Sequence, residues 1–141
     1  MAEMIIDAKD LIAGRLCSFA AKKALLGETI SILNSEGAVI TGNRRDVLGK
    51  FKHRLQRGMP KTGPFVHRPE HRFLKRMIRG MLPYKNFKGK TAFKRIKCYM
   101  GVPKEFEGKK FITINEANVA KTQSLKYITL KELCHQLGRK P

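Results

Sequence analysis

Apolar positions along the chain form two kinds of pattern, short continuous runs and helical stripes, and their order predicts an α/β domain. Met4-Ile5-Ile6 is a short apolar run and predicts a buried strand. Leu11 to Leu26 has helical spacing, with Ile12, Leu16, Phe19, Ala20, Lys23 and Leu26 on one side. Asp10 is placed to cap its start and Gly27 to follow its end. Thr29 to Leu33 is rich in β-branched residues and predicts a second strand. Strand, helix and strand in this order form a βαβ unit, which implies a parallel pair and a right-handed crossover.

Further on, Ala38-Val39-Ile40 predicts a short strand, and Thr41-Gly42-Asn43 a turn that also offers a helix cap. Val47, Leu48, Phe51 and Leu55 fall on one face of a second helix. Gly58 to Pro69 holds Pro60, Gly63, Pro64 and Pro69, so a loop is expected there. Glu70 to Arg79 is helical again, with Phe73, Leu74, Met77 and Ile78 on the inner face. Lys90 to Ile96 predicts a short helix running into a strand at Lys97-Cys98-Tyr99. Lys110 to Asn115 alternates like a strand, and Thr129 to Leu137 predicts a last helix ended by Gly138. No repeat, linker or low-complexity segment divides the chain, and 141 residues suit one domain, 1–141.

Charge changes this picture most. The formal net charge is +19 and the isoelectric point about 10.3. Residues 1–43 carry a net −1, residues 98–141 a net +4, and the 54 residues from Arg44 to Lys97 a net +16. That block holds 18 Lys and Arg but only Asp46 and Glu70 as acids. A solvated protein face mixes signs; this one lacks the acids needed for internal pairing. Self-repulsion of this size points to a polyanionic partner, nucleic acid before membrane. The expected contacts lie in and around the helical faces and the loop. They are Asn43, Arg44, Arg45, Lys50, Lys52, His53, Arg54 and Arg57 on the first basic helix, and Lys61, Phe65, His67 and Arg68 in the loop. Arg72, Lys75, Arg76 and Arg79 follow on the second basic helix, then Tyr84, Lys85, Lys88, Lys90, Lys94 and Arg95. Arg can bridge phosphate oxygens with two parallel hydrogen bonds, and Lys acts as a point charge. Phe65 and Tyr84 are open to either core packing or stacking on unpaired bases.

Other chemistry finds little support. His67-Arg68-Pro69-Glu70-His71 has the letters of the H-x-x-E-H zinc pattern, but Pro69 belongs only in a helix's first turn and biases Arg68 to extended backbone. His67 is therefore expected before the helix starts, and no metal site is assigned. Cys17, Cys98 and Cys134 are far apart, odd in number and without a CxxC pair, which argues against zinc or a disulfide framework and for a reducing compartment. No phosphate-binding glycine loop follows the first strand, no spacing nominates a catalytic triad, and Asp7 and Asp10 read as a turn and a cap. No cofactor is expected. Met1 to Asp10 does not read as a signal peptide, and no segment nears the roughly 20 apolar residues that span a bilayer. A cytoplasmic setting is expected. A DNA-binding reading lacks a compact helix-turn-helix pair, because Pro60, Pro64 and Pro69 occupy the connection. An RNA-acting enzyme lacks an acid–base pair.

The order of residues narrows the partner. Gly14-Arg15-Leu16, Thr41-Gly42, Gly63-Pro64-Phe65, Ile78-Arg79-Gly80-Met81-Leu82-Pro83, Gly89-Lys90 and Ile96-Lys97-Cys98-Tyr99 followed by Gly101 together resemble the universal large-subunit ribosomal protein L-thirteen family, in its archaeal form. The Arg79–Pro83 run with the spaced Gly89 and Gly101 is the most specific part. The resemblance covers nearly the whole chain and is weakest after Lys104. It implies a three-layer α/β/α fold around a four-stranded, mainly parallel sheet, with the basic loop and helices on one side. It also implies a non-catalytic role in binding and organising large-subunit ribosomal RNA. The implied partners are that RNA and neighbouring large-subunit proteins, with the chain a monomer within the ribosome and no membrane involved.

Overall fold

The structure, a computed structural model, describes residues 2–140. It is a mixed α/β domain with five strands and five α-helices among the described residues. The strands are β1 (Glu3–Asp7), β2 (Thr29–Leu33), β3 (Val39–Thr41), β4 (Ile96–Cys98) and β5 (Tyr127–Thr129). The helices are α1 (Ala13–Leu25), α2 (Arg44–Gln56), α3 (Glu70–Gly80), α4 (Phe87–Lys94) and α5 (Leu130–Gln136).

The predicted βαβ unit is present. β1 pairs with β2 in parallel, Met4 opposite Ile30 and Ile6 opposite Ile32, and β2 pairs with β4 in parallel. Alternation along these strands serves two apolar faces. Ile6, Ile30 and Ile32 enter the main core, whereas Ile5 and Leu33 turn the other way and meet Phe106 and Tyr99 in a smaller cluster. Strands covered on both sides read as unbroken apolar runs, which is why Met4-Ile5-Ile6 carries no polar interruption. The sheet has three strands, in the order β1-β2-β4, rather than the four implied by resemblance. β3 and β5 form a separate antiparallel pair. The strand expected at Lys110–Asn115 does not form; that segment makes a single bridge, Ile112 to Ile6.

α1 starts two residues later and ends one residue earlier than the predicted Leu11–Leu26 helix, and its buried face matches the predicted one only in part. The buried stripe is Ala13, Leu16, Cys17, Ala20, Ala21 and Ala24, while Leu26 is 71% exposed and Phe19 half-buried. Small residues at three- and four-residue spacing let α1 lie close to α3 and α4. Asp10 is not the N-cap: it takes φ +57 in the turn before the helix, and Ile12 is the capping residue. The end is as expected, with the Gly27 N–H donating to the Ala24 carbonyl. The Glu28 N–H also donates to the Lys23 carbonyl there. β4 begins one residue earlier than predicted, and α4 three residues earlier than the predicted helix. α5 starts one residue after the predicted Thr129, which instead caps it, its hydroxyl accepting from the Glu132 N–H.

Gly89 shows why one glycine of the family-like run is required. A Cβ there would stand 2.0 Å from the Pro83 carbonyl oxygen, so α4 can lie against Pro83-Tyr84 only without a side chain. Because the obstacle is backbone, Gly89→Ala is expected to destabilise the fold by about 1–3 kcal/mol, read from chemical denaturation midpoints. An unchanged midpoint would mean that α4 can shift freely.

Candidate nucleic-acid interface

The basic block folds as two helices with different anchoring. α3 buries Phe73, Leu74 and Ile78 completely or nearly so. α2 buries nothing fully; Val47, Leu48, Phe51 and Leu55 are half-buried against the core. The stripe predicted for α2 is therefore correct in position, but this helix stands largely outside the body. Its outer face carries Arg45, Lys50, Lys52, Arg54 and Arg57, all exposed. Arg72 and Arg76 do the same on α3.

Several cations are held in place by rings. Arg54 lies over Phe51 at 5.2 Å, Lys75 over Phe93 at 4.8 Å, and Arg79 over Tyr84 at 4.9 Å. Such contacts seat the charged head over the ring face and so fix where that charge is presented. Arg57 is oriented along α2, its Nε donating to His53 Nε2 at 3.3 Å, so His53 serves as a positioning group for Arg57.

Two further members of the predicted set are engaged by residues outside the basic block. Arg95 is half-buried and donates to the Ala24 carbonyl at 3.1 Å, so it closes the C-terminus of α1. Arg44 forms an ion pair with Glu132 of α5. Asn43, Lys61, Phe65, His67, Arg68, Tyr84, Lys85, Lys88, Lys90 and Lys94 are exposed. Among the described residues, neither acid of the block forms an ion pair with a cation of the block. Asp46 stands exposed in the first turn of α2, where the helix N-terminus favours it. Glu70 is wholly buried and paired with Arg139, from the chain's far end.

The loop from Gly58 to Pro69 is ordered by its own backbone. Met59 and Gly63 exchange hydrogen bonds of 3.1 and 2.9 Å. Gly58 sits at φ +76, and a Cβ there would fall 1.7 Å from the Gly63 oxygen, so only glycine fits this crossing. The loop then carries Phe65 out to 64% exposure. Between α2, this loop and α3 lies a cleft of about 450 Å³. Phe51 and Phe73 pack edge to face at 5.1 Å among its lining residues, and Arg54, Arg57 and Arg76 line it as well. A second cleft of about 310 Å³ lies between Arg79, Tyr84, Phe87, Lys90 and Lys94. Sequence reasoning did not single out Val66, Met77 or Gly80 as cleft residues; only the folding of the loop onto α3 brings them there.

Pro69 is the residue before α3, with extended backbone at φ −63 and ψ 138, and His67 lies exposed before it. His67 and His71 thus fail to share a helical face, as the proline predicts. Burial, then the neighbouring Arg72, lowers the pKa of His71 and favours its neutral form. Cys134 packs in the core, where burial pushes its thiol up to about 12. Cys17 is fully buried beside α3, near the Leu74 carbonyl. Among the described residues, no helix is long and apolar enough to cross a membrane.

Residues 2–105 match the sequence model of ribosomal protein L13. The chain belongs to the ribosomal protein L13 family. It is a structural family and not an enzymatic one. Relatives named large ribosomal subunit protein uL13 resemble it along almost its full length. That of Methanosarcina barkeri is 44% identical over 137 residues, covering 96% of this chain and 98% of the relative. That of Archaeoglobus fulgidus is 42% identical over 135 residues, covering 95% and 86%. That of Haloarcula marismortui is 36% identical over 137 residues, covering 97% and 92%. The resemblance to the archaeal form of the family, drawn from the motifs between Gly14 and Gly101, is thus borne out. The L13 match ends at residue 105, close to where the family-like motifs fade.

Proposed function

We propose that this protein is a structural constituent of the large subunit of the cytoplasmic ribosome and that it binds and organises large-subunit ribosomal RNA through the face built by α2, the Gly58–Pro69 loop, α3 and the start of α4. Its partners are that RNA and neighbouring large-subunit proteins. The observation that carries the reading is the separation of charge: 18 Lys and Arg against two acids in residues 44–97, with one acid buried and the other at a helix start. Folded RNA offers crowded phosphates and splayed bases rather than a readable major groove, which suits rigid helices joined by an irregular loop. On the same reading, the four-stranded, three-layer arrangement implied by resemblance draws its support from the single parallel Ile112–Ile6 bridge beside β1, although Lys110–Asn115 forms no strand.

Reversing charge at Arg54, Arg72 and Arg76 tests the face. All three are exposed, so the fold is expected to persist. Affinity for deproteinised large-subunit rRNA at about 100 mM salt should fall about a hundredfold or more, and the slope of log affinity against log salt should flatten by about 2–3. Filter binding across a salt series gives both numbers. Unchanged binding in the triple variant would place the interface elsewhere.

A further inference from the structure

The cleft between α2 and α3 has features that a phosphate-binding face alone does not require. Its lining includes the rings of Phe51, Phe65 and Phe73, yet three guanidiniums share it and none of its lining residues is acidic. Its volume, about 450 Å³, lies in the range of small-ligand sites. Phe51 is already engaged, edge to face with Phe73 and covered by Arg54. Phe65 has no such partner: it is 64% exposed, on a loop fixed by the Met59–Gly63 bridge. One edge of its ring rests against Gly63, where a Cβ would meet it at 3.3 Å.

We infer that this cleft takes one unpaired nucleobase of folded RNA, stacked on Phe65, with the flanking phosphates held by Arg54, Arg57 and Arg76. The inference rests on the RNA-binding reading above and deepens it. An apolar side chain of a neighbouring protein would suit the rings but leave three cations desolvated without counter-charge. A nucleotide supplies both halves at once, a flat π-face for the ring and anionic oxygens for the guanidiniums. A paired base supplies only the anionic oxygens, because its faces are taken up by its own stack. The site therefore selects RNA with a splayed base over a continuous duplex.

Two variants test this, with deproteinised large-subunit rRNA and a fully paired RNA duplex as probes. Phe65→Trp places a fluorophore in the cleft of a chain that has no tryptophan of its own. The indole emission of this variant should be quenched when the rRNA complex forms and stay unchanged in the duplex complex. Phe65→Ala should weaken rRNA binding about five- to a hundredfold while leaving its salt slope unaltered, because a stack and not a phosphate contact is lost. Duplex affinity should not change. If rRNA binds tightly but the indole emission of Phe65→Trp does not respond, or if Phe65→Ala weakens both probes equally, the base-stacking site is overturned while RNA binding stands. The same holds if the emission responds only when ribosomal proteins are added. If wild-type protein binds neither RNA at low salt, the RNA-binding reading falls and this inference with it.

Discussion

Raising monovalent salt from about 50 to 200 mM is expected to weaken binding to large-subunit rRNA by about 10³–10⁵-fold. The size follows from counterion release: a protein that neutralises some 6–10 phosphates displaces their condensed cations, and added salt opposes that displacement. The basic block can supply this number. Of its 18 Lys and Arg, Arg44 alone forms an ion pair among the described residues, and Arg95 is directed at a backbone carbonyl. Exposed cations remain on α2, on the loop, on α3 and on α4. Sedimentation with large subunits over a salt series reads the same effect in the assembled particle. A flat dependence would exclude phosphate neutralisation as the source of affinity.

The second large effect concerns stability. Arg139→Ala should destabilise the fold by about 3 kcal/mol and lower the melting temperature by on the order of 10 °C. Glu70 is wholly buried at the start of α3; one of its oxygens pairs with Arg139, and the other has no hydrogen-bond partner. Removing the arginine leaves a carboxylate in the interior without counter-charge, which costs far more than an exposed pair contributes. Arg139 also reaches Met100 at 3.8 Å and donates its backbone N–H to the Cys134 carbonyl at 3.0 Å, so the end of α5, the start of α3 and the segment after β4 meet at this residue. Replacing both partners by apolar residues, Glu70→Leu with Arg139→Met, should recover most of the loss, because no charge is then stranded. Thermal unfolding of the single and double variants decides this. A single variant that melts with the wild type would mean that the Glu70 carboxylate finds another partner.

These two effects mark what each level of description could reach. The basic block is a property of residue order, and no folding was needed to see that 44–97 lacks internal acids. The βαβ start was equally legible, because Met4-Ile5-Ile6, the Leu11–Leu26 stripe and the Thr29–Leu33 run are local patterns with local causes. The helix start at Pro69 was set by the proline itself, which cannot sit deeper in a helix.

Errors arose where a distant partner set the outcome. Leu26 fits a helical stripe, but the real stripe is made mostly of alanines with Leu16 and Cys17, since close approach of α3 and α4 selects small residues on that face. The Lys110–Asn115 segment alternates like a strand, yet alternation alone does not supply hydrogen-bonding neighbours, and only Ile112 meets β1. Arg95 and Arg44 look like free cations in sequence, and their partners, Ala24 and Glu132, lie 71 and 88 positions away.

Sequence alone thus determined the sign and location of the charge, the parallel strand pair and the family. Tertiary structure decided how the basic face is arranged. It buried Glu70 against Arg139 and left α2 standing outside the core. It also folded the Gly58–Pro69 loop so that Phe65 stands beside three arginines over a cleft. The reason is that charge adds up along a chain whatever its shape, whereas burial, pairing and concavity exist only between segments that folding brings together.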